Sequence, residues 1–117
     1  MSGISYYPLR TIDKNQKVIS ATTDITLSAT DSSGIYYCNN SSNIVITFSS
    51  ATSNSMAIGS QIDFVRANAN VTFNAAPSGI TINSSSGGTP KIRVQWGACT
   101  LLKVTDTGWV VIGDIAT

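Results

Sequence analysis

From residue 24 to the C-terminus, apolar and polar residues alternate along short segments that are separated by Ser, Thr, Asn and Gly. Val, Ile and Thr dominate these segments, which recur at a spacing of roughly ten residues, as half-buried β-strands do. The pattern predicts an all-β fold, a compact antiparallel β-sandwich or barrel of about eight to nine short strands. The predicted strands occupy 24–28, 34–38, 43–48, 58–66, 70–73, 79–83, 91–96, 100–104 and 108–113.

The apolar side of each alternation predicts the hydrophobic core. The turn between the last two strands falls at 106–108, and Gly87 and Gly88 allow a loop with positive φ. No helix is predicted beyond a single turn at 53–57. Units of apolar-Thr-apolar recur, but without a fixed period, so no solenoid is predicted. The predicted core residues are Ile25, Leu27, Ile44, Ile46, Phe48, Ile62, Phe64, Val71, Phe73, Ile80, Ile82, Ile92, Val94, Leu102 and Val104.

Residues 1–20 differ from the rest of the chain because they alternate little and hold several of its charged residues. Pro8 also argues against a central strand, since proline cannot donate a hydrogen bond to a neighbouring strand. The sequence therefore predicts two parts, an extended N-terminal arm at 1–20 and a β-sandwich or barrel domain at 21–117. Fully extended, such an arm could span several tens of ångströms. The alternative is a frayed terminus.

Composition and charge exclude several classes of partner. Charged residues make up 11% of the chain and the formal net charge is +1, so no strong field would attract nucleic acid or an anionic membrane. No apolar run approaches the roughly 20 residues of a membrane span. The N-terminus lacks the basic and apolar regions of a signal peptide, which predicts synthesis in a cytoplasm.

The chain holds few residue types that support catalysis or metal binding. It contains no His and no Glu, so a Ser-His-Asp or Cys-His arrangement is impossible and zinc ligands are too few. The six Asp residues show no spacing typical of a calcium loop or of a glycosidase pair. The sequence predicts no enzyme, no metal and no cofactor. Cys38 and Cys99 are interpreted as small buried apolar residues, with a single disulfide as the alternative.

One segment is similar to a motif of a different protein family. The segment from Asp31 to Cys38 is similar to the end of an immunoglobulin variable domain, where a Tyr precedes the second disulfide Cys. The order along the chain contradicts that interpretation, because no Cys precedes Cys38 and both Trp residues follow it. A turn followed by a half-buried strand accounts for the segment.

From about residue 24 onward, the chain resembles a β module common in tailed-bacteriophage virion proteins, found in capsid decoration (cement) proteins and in tail fibres. The resemblance is carried by the order and spacing of several pieces and leaves out the arm. It implies a virion structural role, with a homotrimer as the expected assembly. The matching pieces are 58–64, 71–73, 79–83, 91–96, 98–104 and 109–115.

Three roles fit that resemblance: a capsid decoration protein, a tail-fibre or head-fibre tip whose Asn- and Trp-bearing loops bind host surface glycans, and an enzyme acting on surface polysaccharide. We favour the first, because a chain that starts at Met1 has no room for the attachment domain and shaft of a fibre. The β domain would lie on the outer capsid surface and stabilise the shell, while the arm contacts the major capsid protein. The predicted capsid-binding residues of the arm are Tyr6, Tyr7, Leu9, Arg10 and Ile12.

Overall fold

The computed structural model describes residues 17–31, 34–85 and 87–117. Almost all regular structure in these ranges is β, as the alternation predicts. The exceptions are a 3₁₀ turn at Ala29–Asp31 and one short helix, α1, at Ser50–Ser55. The strands are β1 (Val18–Ala21), β2 (Ile25–Thr26), β3 (Ile35–Cys38), β4 (Ile44–Thr47), β5 (Gln61–Arg66), β6 (Val71–Phe73), β7 (Thr81–Ser84), β8 (Lys91–Ile92), β9 (Ala98–Lys103), β10 (Gly108–Gly113) and β11 (Ile115–Ala116).

The strands form two sheets that enclose one core, so the predicted all-β sandwich is confirmed. Sheet A has the strand order β1-β3-β5-β9-β10-β7, and sheet B has the order β11-β8-β6-β4-β2. The prediction of an antiparallel arrangement was wrong, because both sheets are mixed. Strands β1, β3 and β5 are parallel in sheet A, as are β2, β4 and β6 in sheet B. The described residues also hold two strands beyond the nine predicted: β1, which begins within the predicted arm, and β11, which follows the last predicted strand.

The parallel pairs arise because the first half of the chain passes alternately through the two sheets. Odd-numbered strands from β1 to β5 enter sheet A, and even-numbered strands from β2 to β6 enter sheet B. Register places Ile25, Ile46 and Phe73 in one row, although their spacing along the chain is uneven. Helix α1 lies between β4 and β5 and lengthens one of the passages. Because of this insertion, the spacing between successive strands of one sheet is uneven, and the sequence shows no constant period.

Most of the predicted core is buried, with errors in the segments that follow Gly88. Val94 and Val104 are 39% and 42% exposed, and Leu102 is half-buried on the outer side of β9. The inward side chains of β9 are instead Cys99, Leu101 and Lys103. Two consecutive leucines leave the alternation of this strand ambiguous, and a shift by one residue exchanges the two faces. Pairing with β5 and β10 decides which face is inward.

Aromatic side chains connect the two sheets across the core. Phe64 stacks on Tyr36 with ring centroids 5.7 Å apart and meets Phe73 edge-on at 5.2 Å. Phe48 and Trp109 form a further edge contact at 5.5 Å. Such pairs contribute about 0.5–1.5 kcal/mol beyond their burial.

The cysteines and the immunoglobulin-like segment have structural roles. Cys38 and Cys99 are free and buried, so the disulfide alternative was wrong. Burial raises the pKa of each thiol to about 12. The Tyr36 hydroxyl donates to Asp31 Oδ1 at 2.9 Å, and Asp31 Oδ2 accepts from the Ser28 amide. Burial, followed by this hydrogen bond, raises the pKa of Tyr36 to about 12.

The predicted arm lies largely outside the described residues. Its candidate capsid-binding residues, Tyr6, Tyr7, Leu9, Arg10 and Ile12, all fall at 1–16. The boundary predicted at residue 20 falls inside β1, which is an edge strand of sheet A. The Ile35 amide donates to the Lys17 carbonyl at 2.9 Å, so the chain is attached to the sheet from Lys17 onward.

Candidate functional site

The outer face of sheet A is the main candidate interaction surface of the described residues. Cross-strand register places its side chains in three rows that run across the strands. Most of these side chains are apolar. The first row is Gln61, Leu102, Val110 and Asn83; the second is Val18, Ile35, Asp63, Thr100 and Ile112; the third is Ser20, Tyr37, Val65 and Ala98.

Two large apolar side chains of this face are exposed, at the two ends of the second row. Val18 on β1 is 61% exposed and Ile112 on β10 is 52% exposed. Ile35 in the same row and Val65 in the third row are half-buried on the surface of the sheet. An open groove of about 480 Å³ follows this part of the face and is lined by β3, β5, β9 and β10.

Asp63 is the polar centre of this face. Its Oδ1 accepts a hydrogen bond from the Thr100 hydroxyl at 2.6 Å and a longer one from the Gln61 amide at 3.4 Å. Both partners belong to the same face, on β9 and β5. The carboxylate is therefore held by neighbouring side chains rather than directed at a second acid, as acid–base catalysis by a carboxylate pair would require.

The outer face of sheet B has a different character. Its outward side chains are Thr26, Val45, Thr47, Thr72, Lys91 and Ala116. Threonine and lysine suit an exposed sheet face, because such a face ordinarily alternates apolar-in with polar-out. The two outer faces of this sandwich therefore differ in polarity.

A second candidate surface is the loop that joins β8 to β9. Trp96 is 63% exposed and has a φ of 69°, the one positive value among the described non-glycine residues. The Trp96 amide donates to the Arg66 carbonyl at 2.6 Å, and the Gln95 side chain donates to the Ala67 carbonyl. Left-handed backbone costs a residue other than glycine roughly 1–2 kcal/mol. The fold thus holds a large aromatic ring in solvent on a strained, well-anchored backbone.

Sequence reasoning did not identify the first surface, although a signal for it was present. For the second surface it gave the expectation of Trp-bearing loops in a fibre tip, without naming Trp96. Strands β3 and β10 contain the uninterrupted apolar runs Ile35–Cys38 and 109–112. Runs of this kind are typical of strands covered on both faces. The strained backbone of Trp96 has no comparable signal in the sequence.

The described residues offer little that resembles a chemical centre. Within 17–31, 34–85 and 87–117, no three His, Cys, Asp or Glu side chains are grouped so that they could hold a metal ion. In the same ranges, every buried side-chain nitrogen and oxygen has a hydrogen-bond partner. No helix among these residues is long and apolar enough to cross a membrane. No protein-family model and no curated protein sequence matches the chain.

Proposed function

We propose that this chain is a bacteriophage capsid decoration (cement) protein that binds the outer capsid surface and stabilises the shell. The proposal takes the homotrimer as its assembly and the major capsid protein as its partner. The β-sandwich forms the body, and residues 1–16 supply the attachment through Tyr6, Tyr7, Leu9, Arg10 and Ile12. The resemblance to phage virion β modules is the starting point for this assignment.

The observation that carries the proposal is the position of β1. This strand lies at the edge of sheet A, and its outer edge is unpaired in the described part of the chain. An exposed edge strand can accept an extended segment of another protein by β-augmentation. The arm joins the body at this edge, where the Lys17 carbonyl already accepts from the Ile35 amide. An arm bound to the capsid would therefore be connected directly to sheet A.

Deletion of residues 2–16 tests the attachment. We expect the shortened protein to fold, because it keeps all the strands and core residues that the structure describes, and to lose co-sedimentation with capsids that lack the native protein. A variant with Tyr6, Tyr7, Leu9 and Ile12 changed to Ser should lose binding in the same way. Retention of full capsid binding by both variants would contradict the role of the arm.

Quantification of the protein in purified virions tests the location, since a shell protein is present in hundreds of copies per particle.

The second candidate is a tail-fibre or head-fibre tip that binds host surface glycans, and Trp96 is the observation that favours it. An exposed Trp on a rigid backbone is typical of an interaction hot spot. If this candidate is right, the purified protein binds host surface polysaccharide and Trp96→Ala abolishes that binding. The exposed Ile58, at 58%, provides the matched control, because Ile58→Ala removes apolar surface elsewhere. Unchanged polysaccharide binding by Trp96→Ala would exclude this site.

A further inference from the structure

We propose that the outer face of sheet A is the surface through which copies of this chain associate. The inference rests on the proposed homotrimer and assigns its contact surface. It begins from the contrast between the two outer faces of the sandwich. The outer face of sheet B is mostly polar, as expected for a face in water, and carries Thr26, Thr47, Thr72 and Lys91 beside Val45 and Ala116. The equivalent positions of sheet A carry mostly Val, Ile, Leu, Tyr and Ala.

The size of the face fits the core of an interface. Adjacent strands lie about 4.8 Å apart and side chains on one face of a strand repeat at about 6.8 Å. The three rows hold thirteen positions and therefore cover roughly 400 Å², about half of the roughly 800 Å² that each partner buries in an interface of standard size. The polar ends of the rows, Asn83 and Ser20, would contribute to the rim. Apolar patches of this extent on isolated domains commonly mark interaction sites.

Charge favours a second copy over a strongly charged partner. Among the described residues of this face, Asp63 is the one side chain that is charged at neutral pH, and Thr100 and Gln61 already hydrogen-bond it. A nucleic acid or an acidic surface would find no cation there to pair with. Copies of a chain whose net charge is +1 repel each other weakly and can bring near-neutral faces together. Depletion of charge is also what distinguishes the core of an interface from the remaining surface.

The first test compares substitutions on the two outer faces. Ile112→Glu places a charge on the exposed end of the sheet A face, and Val45→Glu places the same charge on the outer face of sheet B. By analytical ultracentrifugation, we expect the wild type and Val45→Glu to be trimers. Ile112→Glu should weaken association by about 100-fold or more, because assembly would bury an unpaired carboxylate. A monomeric wild type, or an Ile112→Glu variant that assembles normally, would overturn the inference.

A second measurement does not depend on a disruptive substitution. Cys38 and Cys99 are buried, so a thiol introduced at a surface position can be labelled selectively with a maleimide. In Ile112→Cys, labelling should slow about tenfold or more as protein concentration rises through the association range. In Val45→Cys it should not change. Equal concentration dependence at both positions would overturn the inference.

Capsid co-sedimentation of the same variants separates this inference from the proposed function. A wild-type protein that binds capsids as a monomer would overturn the assignment of the face and leave the decoration role standing. If the wild type is a trimer that Ile112→Glu disrupts, but the wild type does not bind capsids, the assignment of the face is supported and the decoration role is contradicted.

Discussion

Lys103→Met tests how a buried charge stabilises this fold. Lys103 is 3% exposed on the inner side of β9. Its Nζ donates to the carbonyl oxygens of Ser53 at 2.6 Å and Met56 at 2.7 Å, at the C-terminal end of α1. The Trp109 indole donates to the Ser53 hydroxyl at 2.8 Å, so the same short helix is held by two inward side chains of sheet A. Methionine keeps most of the length and volume of the stem but removes the donor.

The expected change in the free energy of unfolding is the balance of two opposing contributions. Two buried carbonyl oxygens lose a hydrogen bond from a charged donor, and each such bond contributes about 1.5–3 kcal/mol. The Ser53 oxygen keeps a bond from the Met56 amide at 3.2 Å, so the Met56 oxygen is the one that loses its donor entirely. The substitution also removes a buried ammonium, whose desolvation costs several kcal/mol in the native state. The carbonyls lie at a helix C-terminus, where the dipole favours a cation. We therefore expect the lost hydrogen bonds to outweigh the relieved desolvation, so that Lys103→Met lowers the free energy of unfolding by about 2 kcal/mol. For a domain of this size, that loss lowers Tm by roughly 8 °C.

Urea unfolding followed by Trp fluorescence measures the loss as a shift in midpoint at constant slope. Lys17→Met is the matched control, since Lys17 is exposed and its substitution should change the free energy of unfolding by less than about 0.5 kcal/mol. A Lys103→Met protein as stable as the wild type would refute the reasoning, because desolvation of the ammonium would then equal or exceed its two hydrogen bonds.

Four further predictions concern ionisation, thiol burial and backbone geometry. Burial raises the pKa of Cys38 and Cys99 from 9.0 to about 12, and that of Tyr36 from 10.0 to about 12, which favours the neutral forms in the native state. Stability should therefore be fully present below pH 9 and decline as pH rises from there to about 12, as thermal melts would show; a constant Tm over that range would contradict the shifts. At pH 8 both thiols should resist Ellman's reagent in the native protein and react in 6 M guanidinium, and rapid native reaction would disprove their burial. Gly113→Ala should destabilise the fold by about 2 kcal/mol or more, since φ is 136° and an added Cβ would lie 2.5 Å from a carbonyl oxygen of β9. Trp96→Gly should instead stabilise it by about 1 kcal/mol by relieving the positive φ, and a loss of stability would show that the ring packs favourably.

The sequence was most informative where a residue's environment depends on its neighbours along the chain. Alternation placed Ile25, Ile44, Ile46, Phe64 and Phe73 in the core, because side chains of a strand point to opposite faces with a period of two. It was least informative at β9, where two adjacent leucines satisfy either face. There, hydrogen bonding to β5 and β10 determined that Leu101 faces inward.

What the sequence by itself determined is therefore the class of structure: short strands, their approximate limits and most of the side chains that they bury. These properties are local, since they follow from periodicity and turn residues. Only the tertiary structure decided the parallel pairing of β1, β3 and β5, because nothing within a strand specifies its neighbours. It also decided that the mostly apolar outer rows of sheet A are not covered by other described residues of the chain, and that Trp96 is held in a strained, exposed conformation. Both surfaces arise from strands and loops that lie far apart along the chain, which is why alternation alone could not reveal them.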